Sequence, residues 1–210
     1  MAVMRVYWLL MCCLIFISTS ALAELDQRAF KRVLTSVQTE FATLAHEHGE
    51  RLQVAGQWKD DWIAANARRW DDEFIIVIYG GVARQAEVDE DVLALVFCHE
   101  LGHGYGGEPY RDAYNHISVE GQADYWATQT CLPRVFKNDT AARAVRAALG
   151  LTQMFARLHK IKAPQLETPD STQVSETTRT HLSLQCRLDT LVAGVLGQER
   201  PRCWFAGRSI

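Results

Sequence analysis

The stretch 96-VFCHELGHGYGG-107 decides how this chain is read. It sits in an apolar run that includes Val92, Leu93, Leu95, Val96, Phe97 and Leu101, which predicts a central helix buried nearly all round. Asp89, Glu90 and Asp91 precede the run and supply a cap and negative charge at the positive end of the helix dipole. Gly104, Gly106 and Gly107 are expected to stop it. Into this apolar helix fall His99, Glu100 and His103. Residues four apart lie on one helix face, so His99 and His103 can aim two imidazoles at one ion. Glu100 sits one step around, close enough to reach a water there but not to replace a histidine. The spacing is H-E-x-x-H, and its chemistry is zinc hydrolysis. Two satisfied structural histidines would be the bland alternative, but polar groups in a buried helix need partners.

A catalytic zinc needs a third protein ligand and an open position. A histidine six residues after the pair would complete one known scheme, but that position is Pro109, which cannot ligate. The other scheme takes a carboxylate from the following helix. The stretch 118-SVEGQADYWA-127 offers Glu120, with Asp124 four residues on and on the same face. Glu120 is the expected ligand, and Asp124 the acceptor for the outer N–H of a ligating histidine, His99. Glu108, Asp112 and His116 are rivals, but they lie in a loop marked by glycine and proline, a less precise support than a helix.

Outward from this centre, Phe30, Val33, Leu34, Val37, Phe41 and Leu44 predict a first helix between Glu24 and Glu50. Residues 51–81 alternate and then turn β-branched in "EFIIVIYGG", which predicts two or three strands. The helix carrying Glu120 is expected to start near Ser118 and break at Pro133. Another should span about Asp139 to Lys160, and a last one Leu184 to Leu196. Between them "KAPQLETPDSTQVSETTRT" reads as a long polar loop, a candidate lid over the site. The tryptophans at 58, 62, 70, 126 and 204 are core residues by default.

At the N-terminus, Arg5 precedes an apolar run from Val6 to Ile17, followed by "STSALA" ending in Ala23. This is the form of a secretory signal peptide at 1–23, leaving 24–210 as one domain. No later stretch is long and apolar enough to span a bilayer. Loss of Arg5 takes the net charge from −3 to −4, which argues against a nucleic-acid partner. Cys98, Cys131, Cys186 and Cys203 remain, and in an exported chain they suggest disulfides with three possible pairings.

Taken together, H-E-x-x-H and "EGQAD" resemble the gluzincin metallopeptidases, and within them the HtpX-like and CAAX-prenyl-protease-like family, whose pattern continues E-x-x-A-D. Asn66 and Ala67 match that family's edge-strand "N-A". Thr180, His181, Ser183 and Arg187 match a downstream T-H-P-S segment and its arginine, with Leu182 in place of the proline. The resemblance covers about residues 66–191. It implies an α+β zincin-like fold, mostly helical, with a small antiparallel sheet whose edge strand flanks the active helix. It implies Zn2+ on His99, His103 and Glu120, Glu100 as general base, and Asn66 and Ala67 along the substrate. His181 and Arg187 are then candidates to stabilise the oxyanion or gate the site. The expected activity is endopeptidase cleavage of exported or unfolded proteins in the periplasm. The alternative is a zinc-stabilised chaperone or assembly factor whose peptidase site is silenced.

Overall fold

The computed structural model describes residues 25–207; the expected signal peptide lies outside them. Helix α1 (Gln27–Glu47) starts on Asp26, whose side chain accepts from Ala29 N at 2.7 Å. Its buried residues, among them Phe30, Val33, Leu34, Val37 and Phe41, recur at three- and four-residue spacing and lie against the sheet and the central helix. Three strands follow: β1 (Arg51–Gln57), β2 (Ala65–Trp70) and β3 (Glu73–Tyr79). Their spatial order is β1-β3-β2. Phe74, Ile76 and Ile78 alternate inward on β3, the middle strand, and each is fully buried.

The sheet is mixed, not antiparallel as expected. β2 and β3 form an antiparallel hairpin, whereas β1 pairs with β3 in parallel. The two-residue turn at Asp71 and Asp72 forces the antiparallel pair. The connection 58–64 carries the chain across the sheet, so β1 occupies the far side of β3 and runs the same way. The fold is thus α+β, and β2 is an edge strand beside the central helix.

A short helix α2 (Gly80–Ala83) leads to that helix, α3 (Glu90–Tyr105), which Asp89 caps through Val92 N at 2.9 Å. Every residue from Val92 to Gly104 is buried. Gly104 does not end the helix; it lies inside it, against the ring of Phe74. A hairpin of β4 (Tyr110–Asp112) and β5 (Ile117–Ser118) then precedes α4 (Glu120–Trp126). A π-helical turn at Ala127–Cys131 follows, and α5 (Leu132–Val135) continues it. Pro133 therefore falls within the helical run instead of breaking it. The wide turn, in which Leu132 N reaches back to Ala127 O, has already interrupted the regular ladder that a proline would otherwise disrupt.

Helix α6 (Thr140–His159) and helix α7 (Leu184–Leu196) complete the core. Ser183 caps α7 and Gly197 ends it at φ 62. The polar segment 161–183 has no helix or strand, but it is fastened along its length. Asp170 N donates to Asp189 Oδ2 at 2.6 Å, Val174 N to Arg202 O and Thr178 N to Trp204 O, both at 2.9 Å. Disulfides join Cys98 to Cys131 and Cys186 to Cys203. Such bonds persist in oxidising compartments. Among the described residues no helix is long and apolar enough to cross a membrane. Trp126 and Trp204 are buried, whereas Trp62 and Trp70 are exposed.

Candidate metal centre

The histidine pair meets Glu120 inside the protein. His99 Nε2 lies 3.4 Å from Glu120 Oε2, and His103 Nε2 lies 3.5 Å from Oε1. The three residues are buried, and their ligand atoms lie within 4.8 Å of one another. This juxtaposition requires α4 to approach α3 closely, and Gly102 allows it. A Cβ on Gly102 would sit 2.6 Å from the backbone oxygen of Ala123. The glycine between the two histidines is therefore a packing element of the site.

Each imidazole is held from behind. His99 Nδ1 is 2.7 Å from Asp124 Oδ1, and His103 Nδ1 is 2.9 Å from the carbonyl oxygen of Ser118. A carbonyl can only accept, so His103 carries its proton on Nδ1 and turns a bare Nε2 toward Glu120. The carboxylate of Asp124 imposes the same arrangement on a neutral His99. Two imidazole nitrogens and a carboxylate oxygen, oriented from outside and converging on one point, are a donor set suited to a divalent ion such as zinc. Ser118, on β5, was not among the residues singled out from sequence. It acts through its backbone, which leaves no side-chain signal.

Charge is distributed unevenly in the metal-free centre. Burial opposes charge on His99, but the Asp124 and Glu120 carboxylates outweigh it and raise its pKa to about 10. Burial, with the charge on His99, lowers His103 to about 4. Burial would push Glu120 up, yet the two histidines hold it well below the usual carboxylate range. Glu100 is buried and makes no hydrogen bond or ion pair among the described residues. Burial raises its pKa to about 7, against the pull of His99. A carboxylate with that pKa is suited to proton transfer near neutrality.

These groups line one cleft of about 340 Å3. Asn66, Ala67 and His181 also line it, so these three border the same cleft as His99, Glu100, His103 and Glu120. Arg187 borders the cleft too, but its Nη2 donates to Asp124 Oδ1 at 2.9 Å and lies 3.2 Å from His99 Nδ1. It therefore buttresses the carboxylate behind His99. Asp112, one of the rival ligands, instead accepts from Tyr114 N and Asn115 N within its own turn, and His116 packs its ring on Tyr110. Arg111 was missed from sequence. It reaches from β4 into the cleft, with Nη1 3.3 Å from Glu120 Oε1.

The open side of β2 completes the wall. Tyr79 N donates to Ala64 O, which fixes the phase of the β2–β3 ladder. In an antiparallel pair the bonded residues alternate, so Asn66 exchanges bonds with Val77 while Ala65 and Ala67 turn N–H and C=O away from β3. No strand lies beyond β2 among the described residues.

No family model, curated protein or solved structure matches this chain. What the molecule itself shows is a buried His-His-Glu group that resembles an H-E-x-x-H…E pattern and could hold a metal ion.

Proposed function

We propose that this chain is a zinc-dependent endopeptidase of zincin-like fold, exported across the inner membrane and acting on exported or unfolded proteins in the periplasm. One observation carries the reading: two outward-braced imidazoles and Glu120 converge at a point beside Glu100, in a cleft whose wall is an open strand edge. Zinc held by His99, His103 and Glu120 supplies Lewis acidity, polarising a carbonyl and making water acidic near neutral pH.

The protein's own groups do the rest. The outward N–H and C=O of Ala67 and Ala65 take the backbone of an extended substrate as an added strand. Such pairing selects for extension more than for side chains, which suits unfolded clients. Glu100, with its pKa near neutrality, takes a proton from the attacking water and returns it to the leaving amine. Asp124 and Ser118 O keep both imidazoles in their ligating tautomer. Arg187 holds Asp124 in place, and His181, exposed on the cleft wall, donates to the developing oxyanion.

Glu100→Gln tests this. The variant keeps the ligands and the shape of the side chain but cannot take a proton. We expect full zinc content, with cleavage of an unfolded protein such as casein reduced by roughly 100-fold or more. Loss of hydrolysis in wild-type protein on chelation, with recovery on adding zinc, completes the expectation. Undiminished cleavage by Glu100→Gln rules the mechanism out. Zinc binding with no cleavage by the wild type favours the silenced chaperone.

A further inference from the structure

The two ends of the cleft differ chemically. α6 lies beside the first half of α3, where a Cβ on Gly150 would sit 2.7 Å from Val92 Cγ2. Leu151, Met154 and Phe155 accordingly line the cleft with Val96, and this end is apolar. The β4–β5 hairpin lies at the other end of α3. Arg69 ties it there, donating to Gly104 O at 2.6 Å and to Asn115 O at 2.7 Å, as does the His103–Ser118 bond. Arg111 projects from this hairpin into the cleft.

Three features distinguish Arg111 from a charge that merely neutralises Glu120. Its neighbour Asp112 spends its carboxylate on its own turn, so the two do not pair. Arg179 donates to Tyr110 O at 2.8 Å, bringing a second cation to the same hairpin, and His181 follows two residues later. An arginine has five N–H donors in a planar fork. Arg111 gives one to Glu120 Oε1 and makes no other side-chain hydrogen bond or ion pair among the described residues, and its side chain is 42% exposed. Because Arg111 lines the cleft, its remaining donors are available to a ligand bound there.

We infer that Arg111 is a specificity-determining residue that receives a carboxylate of the substrate next to the bond to be cut. The inference rests on the endopeptidase reading and adds a substrate class to it: peptides with a carboxylate on one side of the scissile bond. Arginine binds carboxylates through paired N–H donors, and a lysine or arginine of the substrate at that position meets like charge. An acidic side chain and a free C-terminus offer the same group.

The test uses zinc-loaded mature protein and internally quenched peptides of one parent sequence. Glu, Gln or Lys is placed in turn at each position flanking the cut, and a matched pair ends just beyond the cut as free acid or amide. At one position we expect kcat/KM to fall from Glu to Gln to Lys by about fivefold per step, carried by KM and shrinking at high salt. Arg111→Gln should erase the Glu-to-Gln ratio, and Arg111→Glu should reverse the Glu-to-Lys ratio. A preference confined to the free-acid peptide assigns the C-terminus as the source. Anisotropy of labelled Glu and Gln peptides on zinc-loaded Glu100→Gln, with and without Arg111→Gln, reads the same discrimination as Kd. Equal Kd values for the two peptides, or a preference that survives Arg111→Gln, overturns the inference. So does loss of zinc from Arg111→Gln, which would make Arg111 a partner of Glu120 alone. If no peptide is cut, the endopeptidase reading fails and the anisotropy measurement still decides the role of Arg111.

Discussion

His99 and His103 are the same residue on the same helix face, yet their outer partners give them opposite titration behaviour. A carboxylate behind His99 raises its pKa to about 10, while burial and the charge on His99 lower His103 to about 4, against the Ser118 carbonyl that accepts from it. For His99 the folded value lies above the ordinary 6.5. Its protonated form therefore stabilises the metal-free protein fully below about pH 6.5, and that contribution is lost as pH rises through about 10. A metal ion requires neutral His99, so binding near pH 7.5 must expel its proton. Titration calorimetry in buffers of different ionisation heat should report at least about one proton released per zinc at pH 7.5, from His99 with a further fraction from zinc-bound water, the His99 share being lost above pH ~10. Glu100, half protonated near pH 7, adds a further fraction that Glu100→Gln should remove. No release at pH 7.5 would mean that His99 is not an ion-paired cation in the metal-free protein.

At the scale of elements, what was legible depended on whether the signal was local. Asp89 and the apolar run around it marked α3, and Leu184 to Leu196 matched α7 end to end, because caps and periodicity act within a few residues. His99 and His103 were legible because their spacing is itself a helical rule, and Glu120 because a zinc site needs a third ligand and Asp124 lies one turn on from it. The direction of β1 was not, since alternation on β3 is the same for parallel and antiparallel neighbours. Nor was the β4–β5 hairpin, whose strands are too short to show a period. The role of Gly102 was hidden because close approach involves a residue 21 positions away, Ala123. It can be tested there. Gly102→Ala gains about 1 kcal/mol of helix propensity in an interior turn. Against this, its Cβ would meet a backbone oxygen at 2.6 Å, and backbone cannot swing aside as a side chain can. Overpacking of this kind costs about 1–3 kcal/mol and displaces α4 with Glu120. The expected result is a lower melting temperature together with zinc affinity reduced by more than about tenfold, measured by competition with a chromophoric chelator. A variant that is more stable and binds zinc normally would show that propensity wins and that the helices have room.

Across the whole molecule, the site is assembled from segments that local structure does not hold. Cys98, one residue before His99, is bonded to Cys131 in the π turn after α4, so one disulfide joins the helices that carry the ligands. The second joins the start of α7 to the C-terminal segment. That segment runs behind the metal centre: buried Trp204 packs its indole directly on Gly121, next to Glu120, in a small core with Val119, Cys186 and Cys203. It also holds the polar loop through Arg202 O and Trp204 O, and the loop carries His181 to the cleft. The Cys186–Cys203 bond spans a sequence separation of 17, for which loop-closure entropy predicts a stabilisation of about 3 kcal/mol. The double variant Cys186→Ala, Cys203→Ala should lose about that much in denaturant unfolding. If the segment only anchors the chain end, the loss stops there. Because Trp204 supports the backbone beside Glu120, we expect zinc affinity measured well below the unfolding transition to fall as well, with casein cleavage following it. Reduced stability with unchanged zinc affinity and unchanged cleavage would confine the segment to the fold, and the positioning of Glu120 would then rest on α3 and α4 alone.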